Sequence, residues 1–189
     1  MIEDNYKNLT DLQLIQMTLA IDKNHFRGIL ARYQNQIFAY LFRLLNFNRQ
    51  ETEDCVSQTF INVYTKLTSY QPNRSFLSWI YRIAHNVAVD HIRKNSGKHI
   101  NFDPELHKDI SVAKITEFND KLDFILNRLS LKDKNILILF YVQGLSLNDL
   151  SDLYNLLSNT VAARIKRAKE KAKKLISIHY PENANKKNN

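Results

Sequence analysis

Residues 75–94 read SFLSWIYRIAHNVAVDHIRK. Phe76, Ile80, Ile83, Ala84 and Val87 recur at steps of three and four, so on a helix they share one side. The opposite side carries Arg82, His85 and Arg93, with Tyr81, Val89 and Ile92 among them. A helix with cations and apolar groups on the side away from its core stripe is expected to touch something besides that core.

Working outward, Ser69 to Arg74 reads as a loop, because Pro72 breaks a helix and Asn73 favours a turn. Before it, a helix is expected from Asn48, with Glu51 as its capping partner and Val56, Phe60, Val63 and Leu67 as its stripe. A longer one spans about Asn24 to Leu45 on Phe26, Leu30, Tyr33, Ile37, Tyr40 or Leu41, and Leu44. Thr10 with Gln13 opens a first helix ending near Ile21. Only 3 Gly and 3 Pro interrupt 189 residues that are 44% hydrophobic, so helices throughout are expected.

Beyond Gly97 the periodicity fades, and Asp103-Pro104 breaks it. Residues 96–119 read as a linker, with a short helical tail over 110–118. A second helical block follows. Leu122, Ile125, Leu126 and Leu129 form one stripe. Ser130 with Asp133 opens the next helix, which Gly144 closes. Ser146 with Asp149 opens a short helix ending near Asn155. Ser158 is expected to cap a long basic helix to Ile178, which Pro181 stops, leaving 179–189 as a polar tail. The expected domains are therefore 1–95 and 120–178.

The formal net charge is +8, and the stretch from Leu156 to the end holds nine Lys or Arg against two Glu. Such a concentration suits a polyanionic partner. Residues 145–169, LSLNDLSDLYNLLSNTVAARIKRAK, read as a short helix, a tight turn and a longer helix. Leu150 and Leu153 can meet Val161 and Ile165, the packing of a helix-turn-helix whose second helix enters the DNA major groove. Small Ala162 and Ala163 permit close approach. Arg164, Lys166, Arg167 and Lys171 supply positive charge, and an Arg can grip guanine through two hydrogen bonds. Ser158 and Thr160 at the helix start suit a phosphate.

Several classes are set aside. One cysteine, Cys55, allows no internal disulfide and no metal cluster. His85 and His91, six apart, are a poor metal pair and read as surface groups near phosphate. No paired carboxylates, nucleophile triad or Gly-rich phosphate loop stands out, so neither catalysis nor a cofactor is expected. The start, MIEDNYKNLT, has no apolar core of a signal peptide. The longest apolar run, Ile136 to Val142, is too short to cross a bilayer, so no membrane insertion and a cytoplasmic location are expected.

Taken in order, EDCVSQTF at 53–60, SYQPNRSFLSWIYRIAHNVAVDHIRK at 69–94 and LSLNDLSDLYNLLSNTVAARIKRAK at 145–169 resemble a bacterial RNA polymerase sigma factor of the sigma-70 family, extracytoplasmic-function type. The resemblance covers roughly 20–95 and 120–176. It implies an all-α chain of two small helical domains, a region 2-like bundle and a region 4-like helix-turn-helix, joined by a flexible linker. It also implies a transcription initiation factor that binds core RNA polymerase at the β′ clamp and β flap. The first domain would read and open the −10 element and the second read the −35 element. An anti-sigma factor is a further partner the family implies. A stand-alone helix-turn-helix regulator is the alternative.

On this resemblance, Glu53, Asp54, Gln58 and Thr59 meet the polymerase clamp. Helix capping explains acids such as Glu51 and Glu53 equally well. The loop and helix over 70–94 would face the −10 element. Asn73 and Ser75 hydrogen-bond an extruded base, Phe76 or Tyr70 stacks on it, and Trp79 wedges at the bubble edge. Arg74, Arg82, His85, Asn86, Arg93 and Lys94 complete that surface. A large aromatic at helical spacing ordinarily packs, so Phe76 and Trp79 are also expected to be partly core. Where the family often places a second aromatic beside the tryptophan this chain has Ile80, and where it often reads bases with a long polar residue it has Ala162.

Overall fold

Thr10 starts the first helix as its sequence dictates. Its hydroxyl accepts from the Gln13 amide at 3.2 Å, and the Gln13 side chain accepts from the Thr10 amide at 2.7 Å. The computed structural model describes residues 6–95 and 120–180. The linker read over 96–119, its helical tail and most of the polar tail lie outside them. The chain divides into two compact units, Met1–Asp109 and Ile110–Asn189.

In the first unit α1 spans Asp11–Ala20, α2 Phe26–Leu44, α3 Arg49–Thr65 and α4 Phe76–Asn95. Gly28 lets α1 and α2 touch, since a Cβ there would lie 2.7 Å from Leu14 and 2.8 Å from the Tyr6 ring. α3 packs between α2 and α4. Ile29, Ile37, Tyr40, Leu41, Ile80 and Ala84 are fully enclosed in the resulting core. Tyr81, assigned by spacing to the outer side of α4, is 1% exposed and packs edge-on against Tyr40 with ring centroids 5.1 Å apart. A twenty-residue helix wedged against two others has a broad buried face, wider than one stripe.

α2 begins later than periodicity suggests. Asp22 caps a 3-10 turn, Lys23–His25, by accepting from the Asn24 amide at 2.9 Å. The inward register then falls on Ile29, leaving Phe26 and Leu30 only partly covered. The junction after α2 holds Asn46 and Phe47 at φ 56° and 66°. A non-glycine pair in that conformation is strained. Phe47 compensates by burying its ring against Phe42, 5.3 Å between centroids, and by donating its amide to the Phe42 carbonyl at 2.7 Å.

In the second unit α5 spans Asp120–Leu126, α6 Leu131–Leu137, α7 Leu147–Tyr154 and α8 Ser158–His179. α5, α6 and α7 all pack on α8. The helix read from Ser130 to Gly144 is α6 followed by a π-helical turn, Ile138–Val142. The wider turn buries Ile138 and Leu139 and leaves Tyr141 53% exposed. Gly144 follows at φ +70°, the conformation expected of a residue that stops a helix. Leu122, placed on the α5 stripe, is 41% exposed, whereas Ile125 and Leu126 are buried.

Candidate polymerase and nucleic-acid surfaces

α7 and α8 form the helix-turn-helix. Ser146 and Asp149 exchange a capping box, and Asn155 takes a left-handed conformation, φ 52°, where the chain reverses. Leu150, Leu153, Val161 and Ile165 are all buried, joining the two helices as their spacing requires. Ser158 does not cap α8. Leu157 holds that position, and the Ser158 hydroxyl lies 3.1 Å from that of Ser151. The remaining face of α8 presents Ala163, Arg164, Lys166 and Arg167 to solvent, with Thr160 and Ala162 half-covered at its margins. Arg167 leans back along the helix, its Nε donating to the Ala163 carbonyl at 3.3 Å.

Lys171, although exposed, is engaged in an intramolecular pair. Its ammonium pairs with Asp133 at 2.6 Å, and the Ser130 hydroxyl donates to the same carboxylate oxygen at 2.7 Å. Burial pushes the Asp133 carboxyl up, but these two bonds and the nearby Arg167 outweigh it and hold its pKa below the usual value. Lys171 thus fastens α8 to the start of α6. Behind it Lys134 is buried and donates to Asn127 Oδ1 at 2.8 Å. Loss of hydration pushes its pKa down to about 7, against the pull of Asp123.

In the first unit the loop before α4 is braced by its own groups. Tyr70 donates its hydroxyl to the Arg74 carbonyl at 2.5 Å. Ser75 caps α4, accepting from the Ser78 amide at 3.3 Å. Asn73 and Arg74 stand exposed between them. Tyr70, Phe76 and Trp79 form an aromatic cluster. Phe76 and Trp79 stack at 5.6 Å and 20°, while Tyr70 meets Phe76 at 5.0 Å and Trp79 at 5.5 Å. Phe76 is only 4% exposed and offers no face to a base. Its role is to support Trp79 and Tyr70, both partly exposed.

Along α4, Asn86, Arg93 and Lys94 are exposed and Arg82 is half-covered. Arg93 shares its charge with Asp90 at 3.1 Å. The two histidines are half-buried, each with a partner inside the protein. His85 lies with Nδ1 3.3 Å from the Tyr40 hydroxyl, and burial lowers its pKa, which favours the uncharged ring. His91 reaches α3, with Nε2 3.2 Å from Glu51.

α3 exposes Glu53, Asp54 and Gln58. Glu53 accepts from Arg49 at 2.8 Å and Gln58 donates to Asn62 at 3.0 Å. Thr59 is fully buried, its hydroxyl donating to the Cys55 carbonyl at 2.6 Å, so it belongs to the core. Beside these polar residues lies a groove of about 750 Å³ between α2 and α3, lined by Phe26, Leu30, Phe38, Ile61 and Tyr64, with Arg49 and Glu53 at its rim. Sequence reasoning missed it. The available signal was Ile61 and Tyr64, apolar residues off the α3 stripe.

Among the described residues no cluster of three His, Cys, Asp or Glu side chains is arranged to hold a metal ion. No helix there is long and apolar enough to cross a membrane. Residues 29–98 match Sigma-70 region 2, and residues 119–171 match Sigma-70, region 4. Over 170 residues the chain is 29% identical to the ECF RNA polymerase sigma factor SigW of Bacillus subtilis, covering 81% of this chain and 89% of that one. It is 28% identical to the ECF RNA polymerase sigma-E factor of Haemophilus influenzae, over 87% of this chain and 94% of that one. The fold is similar to that of CnrH, solved in complex with the cytosolic domain of CnrY, with TM-score 0.66, 21% identity, and 88% of this chain and 96% of that one covered. It is likewise similar to the sigma factor RpoE of Bartonella quintana, solved with the anti-sigma factor NepR, with TM-score 0.63, 20% identity, and 82% and 98% covered. With both regions matched in order and full-length relatives of one kind, the chain belongs to the sigma-70 family of RNA polymerase sigma factors, in its extracytoplasmic-function branch.

Proposed function

We propose that this chain binds core RNA polymerase and directs it to a restricted set of promoters, without catalysing chemistry of its own. The observation that carries the reading is the ordered pair of matches, region 2 over 29–98 and region 4 over 119–171. A stand-alone regulator would need only the helix-turn-helix, and the region 2 match speaks against it. Exposed Glu53, Asp54 and Gln58 on α3, beside the apolar groove, supply the surface for the β′ clamp. The second unit meets the β flap.

The loop over 70–75 is the surface for the −10 element. Removing a base from its stack costs a few kcal/mol, so a receiving site must offset that cost. Asn73 and Arg74 offer hydrogen bonds at the loop, Tyr70 offers a ring face, Trp79 wedges at the bubble edge, and the capping role of Ser75 fixes the loop's exit. Arg82, Asn86, Arg93 and Lys94 meet backbone phosphates along α4. In the second unit Lys166 and Arg167 read base edges of the −35 element from α8, with Arg164, Thr160 and the two alanines beside them. A cytoplasmic location and control by an anti-sigma factor complete the reading. Two fold relatives solved with partner proteins, one of them named an anti-sigma factor, support the latter.

The test is in vitro transcription with purified chain and core polymerase across a library of promoter fragments. Transcripts from a small subset are expected. Core enzyme that stays inactive on every fragment would overturn the reading.

A further inference from the structure

Asp11 does more than open α1. Its carboxylate accepts from the Tyr33 hydroxyl at 2.6 Å and from Arg32 at 2.5 Å. The same guanidinium donates to the carbonyls of Leu9 at 2.5 Å and Tyr6 at 3.1 Å, so the segment before α1 is pinned to α2. Tyr33 is 6% exposed, and its ring meets Phe76 edge-on at 5.7 Å and 72°. Phe76 in turn stacks on Trp79. A continuous line of contacts therefore runs from a carboxylate at the start of α1, through Tyr33 and Phe76, to the partly exposed Trp79. Tyr70 joins from the side, its ring 5.0 Å from Phe76 and 5.5 Å from Trp79.

A phenol donating to a carboxylate forms a charge-assisted hydrogen bond, stronger and more directional than a neutral one. It fixes the rotation of the Tyr33 ring, against which Phe76 sets its edge. A phenylalanine at 33 would fill the same space without that constraint. Every contact in the chain lies at the aromatic cluster or behind it, and none touches Glu53, Asp54 or Gln58 on α3.

We propose that Asp11 and Tyr33 are positioning residues for promoter opening: they hold the Phe76–Trp79 stack in the orientation that lets Trp79 act at the bubble edge. The inference rests on the reading that this unit opens the −10 element. A wedge that must work against base stacking gains from being held rigid beforehand, because disorder in its support reduces the fraction of correctly placed rings.

The experiment uses the full chain with core polymerase. Wild type, Tyr33→Phe and Asp11→Asn are compared on a fully duplex promoter and on the same promoter carrying a pre-melted −10 bubble. Permanganate reactivity of thymines reports opening on the duplex, and run-off transcription reports both. Removing the one charge-assisted bond in Tyr33→Phe is expected to lower opening of the duplex about five- to tenfold, and Asp11→Asn, which also weakens the bond to Arg32, at least as much. On the bubble template the variants should stay within about twofold of wild type, since the step they assist is already done. Affinity for core polymerase, measured in parallel, should be unchanged. Equal losses on both templates, or no loss on the duplex, would overturn the inference. Should Asp11→Asn fail to fold, Tyr33→Phe, which keeps the ring, decides alone. A wild-type chain that opens no promoter would instead overturn the reading beneath the inference, and the inference with it.

Discussion

Arg167 and Lys171 lie one turn apart on the basic helix, yet the structure gives them different work. Lys171 closes an ion pair on Asp133, whereas among the described residues Arg167 bonds within its own helix, to the Ala163 carbonyl. Arg167→Ala is therefore expected to weaken −35-dependent promoter binding about tenfold or more while leaving affinity for core polymerase intact. Lys171→Ala should cost about 0.5 kcal/mol of stability or less, because its side chain is 62% exposed, and should change promoter affinity less than Arg167→Ala does. Promoter-binding titrations and denaturant melts of both variants check this. Lys134 adds a pH dependence. With its pKa down at about 7 when folded and the ordinary 10.5 when unfolded, the unfolded chain binds more protons between those values. Stability of the second unit should then rise with pH, by about 2 kcal/mol between roughly pH 7 and pH 9. Protection factors of α6 and α8 amides would show the rise in wild type and a flatter profile in Lys134→Met.

At the scale of elements, the turn between α7 and α8 depends on Asn155 in the left-handed region. Asn155→Gly should be close to neutral. Asn155→Val should cost about 1–2 kcal/mol and loosen the placement of α8, measurable by thermal melting and by weaker promoter binding. Two helix starts were legible in the sequence because capping is local: Thr10 and Ser146 form the boxes their spacing predicts, whereas Ser158 does not cap α8. The boundary of α2 was not, since a 3-10 turn and a helix start share the same residue types over three positions. Ile136 to Val142 hid its π turn for a different reason. A run with no polar residue carries no periodicity to assign faces. Of the candidate site, what was legible is exposure: Asn73, Arg74, Arg167 and Glu53 stand at the surface as their polarity predicts. It was misjudged where a residue type suits either environment. Thr59 satisfies its hydroxyl on its own helix, and His85 is half-buried beside Tyr40. Neither fact follows from spacing, because both depend on which helix packs over them.

For the whole molecule, the claim is a division of labour between two helical units on one promoter. The first carries the aromatic cluster and a polar surface on α3, and the second carries a basic recognition helix. Fold and family membership were readable because two motif sets, each on its own helices, recur in fixed order. The apolar groove between α2 and α3 was not, since it exists only once the two helices pack. The most direct test is a combined footprint of polymerase holoenzyme on one promoter, probing thymine reactivity to permanganate and backbone protection together. The account predicts that Trp79→Ala abolishes reactivity near −10 while keeping protection at −35, and that Arg167→Ala first removes protection at −35. Loss of both signals together in each variant would contradict it.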